Sequence, residues 1–237
     1  MPGITIAAMI TIGFLLILVG LLICTKLHSS LKLMAVLGVL GGMAAFFGAF
    51  YLLRIPLDNA LQSLIQSNPA MYRLGTTFYA PITEEPAKWL ILIPFFLAGK
   101  IKNENKAVWA LCIGIGFGIG EIVFLSQRIA SDPQTLTMPW YLSSGFIVER
   151  FMVSLIHGAL VLVAADALCS RKFWAMILAP MIHYLVNLPI FLSYQFPLDP
   201  LGIVWGQLLW LSNILFFVGA LVYLGVRMFP RVEQVAK

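Results

Sequence analysis

Apolar runs of twenty residues or more follow one another along almost the whole chain, at 4–24, 32–53, 74–99, 107–130, 146–168, 173–195 and 202–229. At about 1.5 Å of rise per residue, a helix of that length crosses a hydrocarbon core of about 30 Å. Of the 237 residues, 61% are hydrophobic and 11% charged, against about 45–50% and about 25% in ordinary globular domains. So few charges cannot cover the outside of a water-soluble fold of this size. A soluble protein, a disordered tail and a coiled coil are thereby excluded. A transmembrane barrel would alternate polar and apolar residues over ten-residue strands, and these runs do not alternate. The expected fold is an all-α polytopic membrane protein with about seven transmembrane helices, forming one integral membrane domain over residues 1–237.

The cations indicate an orientation. Seven crossings place Lys26, Lys32, Lys100, Lys102, Lys106, Arg171, Lys172, Arg227, Arg231 and Lys237 on one side, and only Arg54, Arg73, Arg128 and Arg150 on the other. The positive-inside rule then puts the N-terminus outside and the C-terminus in the cytoplasm. The net charge of +5 reports this topology rather than a nucleic-acid partner. No Lys or Arg precedes the run at 4–24, which is also too long for the core of a cleavable signal. Two segments read as connections. Residues 54–73 form a loop or short amphipathic helix at the interface, and 131–145 form a loop anchored by Trp140 and Tyr141. Cys24, Cys112 and Cys169 fall near the inner ends of their spans and are expected as free thiols.

Ionisable groups within a span are costly and therefore informative. They are Glu84, Glu85 and Lys88 in the third span, Glu121 in the fourth, His157 in the fifth and His183 in the sixth, with Asn187 one turn on. Measured from the outer end of each span, the acids and histidines lie roughly 13–18 Å deep. Four helices carrying their costly groups in one layer imply a single polar site at mid-depth, between spans 3, 4, 5 and 6. His183 and Asn187 are i, i+4 neighbours. Arg150, Ser154 and His157 share a face of the fifth span, and Gly114, Gly118 and Glu121 share one of the fourth. The run GIGFGIG before Glu121 permits close helix approach. Lys88 is within reach of both Glu84 and Glu85. Pro86 removes a helix donor beside them, and a kink is expected there.

Hydrolysis requires a base to activate water and donors to hold an oxyanion. A buried glutamate suits the first role, and histidine with asparagine the second. No nucleophile elbow is present, Ser154 is the only serine on a polar face, and the thiols lie far from the layer. A serine or cysteine mechanism is discounted.

TEEPAKW (83–89), GFGIGE (116–121), Arg150 to His157 as R-x6-H, and His183 to Asn187 as H-x3-N together resemble the PrsW family of intramembrane peptidases. That family is similar in turn to the CAAX prenyl endopeptidases and to the multi-spanning scaffold subunit of gamma-secretase. The resemblance spans about residues 74–195. It implies that the Glu84–Glu85 pair supplies the water-activating base, that Glu121 and the histidines line the site, and that histidine with Asn187 holds the oxyanion. Lys88 and Arg150 would support it. Ile122 follows Glu121 where members of that family commonly carry Asn. Either glutamate of the pair can be the base; the reading leans to Glu85.

The expected function is thus an intramembrane endopeptidase of glutamic type, in the plasma membrane of a prokaryote. Its substrate would be a membrane protein or lipidated peptide entering from the bilayer. No cofactor is expected. A zinc version would use His157, His183 and Glu121, with water in the fourth position, but no HExxH motif is present. Two other functions use the same residues: a proton-coupled transporter, because acids and histidines at mid-depth form proton relays, and a non-catalytic scaffold. A bis-histidine haem is disfavoured by the acids crowded around His157 and His183. Structural readings also exist residue by residue. They are an ion pair within Glu84, Glu85 and Lys88, snorkelling to the interface for Glu149 and Arg150, and an inner-edge charge near Arg171 and Lys172 for Asp166.

Overall fold

A computed structural model describes residues 1–27, 29–195 and 202–228 of the chain. His28, Arg231 and Lys237 lie outside the described residues. The described chain is helical, with no strand among the described residues. The helices are α1 (Gly3–Lys26), α2 (Ser29–Gly48), α3 (Ile55–Ala60), α4 (Gln62–Ser67), α5 (Pro69–Leu97), α6 (Lys106–Ala130), α7 (Ser144–Cys169), α8 (Leu178–Gln195) and α9 (Gly202–Met228). Short 3-10 turns precede α7 and α8.

Among the described residues, five stretches are long and apolar enough to cross a membrane: Gly3–Lys26, Leu31–Ala60, Lys106–Ala130, Trp140–Cys169 and Gly206–Met228. The shorter Phe173–Pro189 is apolar as well. α5 is also long, at 29 residues, but its middle carries Glu84, Glu85 and Lys88. It runs on as helix through Pro81, Pro86 and Pro94 and is capped at its start by Asn68, whose side chain accepts from Met71 N at 3.2 Å.

α6 and α7 form the buried centre. Trp109, Ile113, Ile115, Phe117, Ile122, Leu160 and Leu162 are closed off from the surface. α1, α2 and α9 pack around them and turn apolar side chains such as Phe14, Leu40 and Val222 outward. The glycine run makes this possible on two sides at once. Gly114 and Gly118 face α7, where a Cβ would strike the backbone of Gly158 and the side chain of Ser154. Gly116 and Gly120 face α2, where a Cβ would strike Val39 and Phe46. Residues two apart on a helix lie about 200° apart around its axis, so alternate glycines serve opposite neighbours.

The connection after α2 is helical rather than a loop. A π-helical turn, Ala49–Arg54, leads into α3, and α4 comes next, both short and exposed. Asp58 on α3 accepts hydrogen bonds from Tyr72, at 3.1 Å, and from Tyr79, which ties this segment to α5. At the other end of the bundle, Asp166 of α7 takes Lys106 at 2.5 Å, Arg227 at 2.9 Å and the Tyr223 hydroxyl at 2.5 Å. Asp166 therefore joins α6, α7 and α9 and is not simply an edge charge beside Arg171 and Lys172. The three cysteines are unpaired.

Candidate functional site

The polar residues of α5 to α8 form one continuous chain of contacts. Arg54 Nη1 lies 2.8 Å from Glu84 Oε1. The other oxygen of Glu84 faces Nε2 of His183 at 3.8 Å, and Nδ1 of His183 is 2.7 Å from Glu85 Oε1. The same oxygen takes Lys88 Nζ at 2.6 Å, and Lys88 reaches on to Nδ1 of His157 at 3.0 Å. His157 Nε2 faces Glu121 Oε2 at 3.4 Å, Glu121 Oε1 takes Arg150 Nη1 at 2.9 Å, and Arg150 Nη2 ends on Glu149 at 2.7 Å. Along this path every carboxylate lies beside basic groups. The two contacts longer than 3.2 Å exceed ordinary hydrogen-bond lengths.

The path lines a cavity of about 260 Å³ and then dips behind its wall. Arg54, Glu84, His183, His157, Glu121, Arg150 and Glu149 line the cavity together with Asn187 and Asn213. Glu85 and Lys88 are fully buried, at 0% exposure, and stand behind the wall. Adjacent residues on a helix point about 100° apart, so Glu84 can face the cavity while Glu85 faces inward. Phe117 covers Lys88, with Nζ 4.4 Å from the ring centroid, and meets the His157 ring edge-on at 5.0 Å.

Donor counting assigns the tautomer of His157. An ammonium has donors only, so Nδ1 must accept from Lys88 and Nε2 carries the proton toward Glu121. Ser154 Oγ donates to the carbonyl of Arg150 at 2.7 Å and lies against Gly118. It serves the packing of α7 on α6 and is not placed as a nucleophile.

Each candidate from the sequence lies in or beside this cluster. Three differences stand out. Lys88 pairs with Glu85 at i+3, although Glu84 at i+4 is equally within reach by spacing. Arg150 is buried on Glu121 and does not snorkel to the interface. Among the described residues, the acid that converges with His157 and His183 is Glu85, not Glu121: one ligand atom from each lies within 4.8 Å of the others. Lys88 already stands among these atoms, on Glu85 Oε1 and His157 Nδ1. The set as arranged is engaged by the protein's own cation, and a metal would fit only if Lys88 withdrew.

Several cavity residues are not evident from the sequence as site residues, among them Thr76, Thr77, Arg54 and Asn213. Arg54 looks there like an orientation charge in a connecting segment, and the π-helical turn brings it to Glu84. Asn213 lies beside Ser212 in an otherwise apolar stretch of α9. That break in the apolar pattern is the one signal the sequence offers for it. Compared with protein-family models, curated proteins and solved structures, the chain finds no match.

Proposed function

We propose that the chain is an intramembrane peptidase of glutamic type, in which Glu84 activates a water molecule. The observation that carries this reading is a small cavity, walled by carboxylates and two imidazoles, set among apolar helices. Ionisable groups so placed are costly and mark function by default. Leaving the imidazoles aside, four carboxylates face three fixed cations along the path. One further proton balances the charge, which suits a site that takes a proton from water and returns it.

In this mechanism the water oxygen attacks the peptide carbonyl carbon as its proton passes to Glu84. His157 and Asn187 supply donors for the developing oxyanion. Glu84 then delivers the proton to the departing nitrogen as the C–N bond breaks. Glu84 takes the role of base because it lines the cavity, whereas Glu85 lies behind the wall and positions His183. The same proposal includes a PrsW-like relationship and seven crossings with the N-terminus outside and the C-terminus cytoplasmic. It places the polar layer at mid-depth, in a prokaryotic plasma membrane. The substrate is a membrane protein or lipidated peptide that enters from the bilayer.

The test compares membrane-protein fragments in cells expressing wild type, Glu84→Gln, Glu85→Gln or His157→Ala, each checked for equal folded abundance. Fragments that need wild type support proteolysis. Identical profiles from all four count against it. A second reading, a proton-coupled transporter, draws on the unbroken run of acids and bases, which a proton relay also requires. Proton flux in vesicles containing Glu84→Gln separates the two readings.

A further inference from the structure

A larger cleft, of about 550 Å³, opens between α7, α8 and α9. Its walls are apolar, formed by residues such as Ile156, Val163, Leu178, Ile182, Phe216 and Ala220. It follows α7 from Ile156 to Ser170, fourteen residues or about 21 Å, the reach of an ordinary fatty-acyl chain. Gly219 lines it, and a Cβ at Gly219 would meet nothing within 4 Å.

One end of the cleft is cationic. Ser170 and Lys172 line that end, and both are exposed. Asp166 is the acid there, and Lys106 and Arg227 already hold it. Those two cations over-balance it, and Lys172 adds a further positive charge. Arg171, also exposed, sits at φ 56° where the chain leaves α7, with Arg171 N bonded to Leu168 O and Lys172 N to Ala167 O. A helix that ends in this way usually uses glycine. Here a cation occupies the left-handed position at some conformational cost. An apolar slot one chain long, with spare positive charge at one end, is complementary to an acidic amphiphile. Basic pockets between transmembrane helices bind anionic lipid headgroups on the same reasoning.

We infer that this cleft holds one acyl chain of an anionic phospholipid, with its phosphate at Ser170, Arg171 and Lys172. The far end of that chain packs on Ile156, Leu160 and Val186, which also belong to the wall of the polar cavity. The inference requires a bilayer around the protein but not peptidase activity.

The experiment is lipid exchange on the purified full chain in detergent, with phosphatidylglycerol and phosphatidylcholine of identical acyl chains, read by native mass spectrometry. Wild type should retain phosphatidylglycerol over phosphatidylcholine by roughly fivefold for each contributing cation. The double variant Arg171→Gly, Lys172→Ala should lose most of that preference, leaving at most what the surplus of Lys106 and Arg227 over Asp166 supplies, while retaining either lipid. Glycine suits the left-handed turn, so this variant should fold at least as well as wild type. Gly219→Leu, which fills the slot from its open side, should lose both lipids. Equal retention of the two headgroups by wild type, or undiminished retention by Gly219→Leu, would overturn the inference.

Discussion

Lys88 Nζ lies 3.0 Å from Nδ1 of His157, across the interface between α5 and α7. This contact fixes which nitrogen of His157 faces the cavity as a donor. The tautomer is therefore expected to depend on Lys88. In protein labelled with nitrogen-15, His157 should show the Nε2–H form in wild type. Lys88→Met should leave it free to exchange between tautomers. An unchanged nitrogen spectrum would mean that Lys88 does not set the ring.

The same lysine bears on stability. Glu85 and Lys88 are both closed to solvent and lie 2.6 Å apart. Breaking a buried pair leaves one uncompensated charge and costs about 3–5 kcal/mol, whereas replacing both partners is far less costly. Lys88→Met alone should strongly lower the melting temperature, and Glu85→Gln with Lys88→Met should recover most of the loss. Thermal unfolding in detergent reads both. If the double variant melts no higher than the single, His183 rather than Lys88 is the main partner of Glu85.

Glu84 and Glu85 are neighbours in sequence with opposite surroundings, and they should separate function from stability. Glu84→Gln keeps the shape of the cavity wall and removes the base. Cleavage is expected to fall by about 10²–10⁴-fold, with a loss of stability no larger than that of the single Arg54 contact. Glu85→Gln strands Lys88 and should lower the melting temperature first. Equal melting of the two variants would contradict the placement of Glu85 behind the wall.

Arg54 holds Glu84 through a charged hydrogen bond of 2.8 Å and is a quarter exposed. Arg54→Gln should cost about 1–2 kcal/mol at most and release Glu84 from one of its two partners. Turnover is expected to fall while substrate affinity is held, and Arg54→Lys should restore part of it. A change confined to KM would place Arg54 in substrate binding and not in orienting Glu84.

These contrasts mark how far the sequence could be read. Apolar runs and their lengths made the helices legible, because a helix in lipid satisfies its backbone internally and shows in composition alone. The members of the polar cluster were legible one by one, since a glutamate or histidine within an apolar run stands out. Which partner each group takes was not. Lys88 at i+3 from one glutamate and i+4 from the other has no preference in sequence, and the packing of α7 against α5 decides it. Arg54 was hidden because the wider turn of a π-helix rotates every later residue around the helix axis. Asp166 was hidden because its partners Lys106 and Arg227 are 60 and 61 residues away in the chain.

The glycine run offers a last test, independent of any activity. At Gly114 a Cβ would run into the backbone of Gly158, which cannot swing aside as a flexible side chain can. Gly114→Ala must therefore push α6 and α7 apart, and both carry cluster residues, Glu121 on one and His157 on the other. At Gly13 a Cβ meets nothing within 4 Å. Gly13→Ala should leave stability unchanged or raise it by about 0.5–1 kcal/mol. The expected result is a loss of folded protein with Gly114→Ala and none with Gly13→Ala, read by size-exclusion profile and thermal unfolding. Gly118→Ala should behave like Gly114→Ala, because a Cβ there meets Oγ, Cβ and the backbone Cα of Ser154, all within 3.0 Å. Turning the Ser154 hydroxyl away would break its bond to the Arg150 carbonyl and would still leave Cβ and Cα in the way. If all three alanine variants behave alike, the close approach of α6 to α7 is not what the glycines provide.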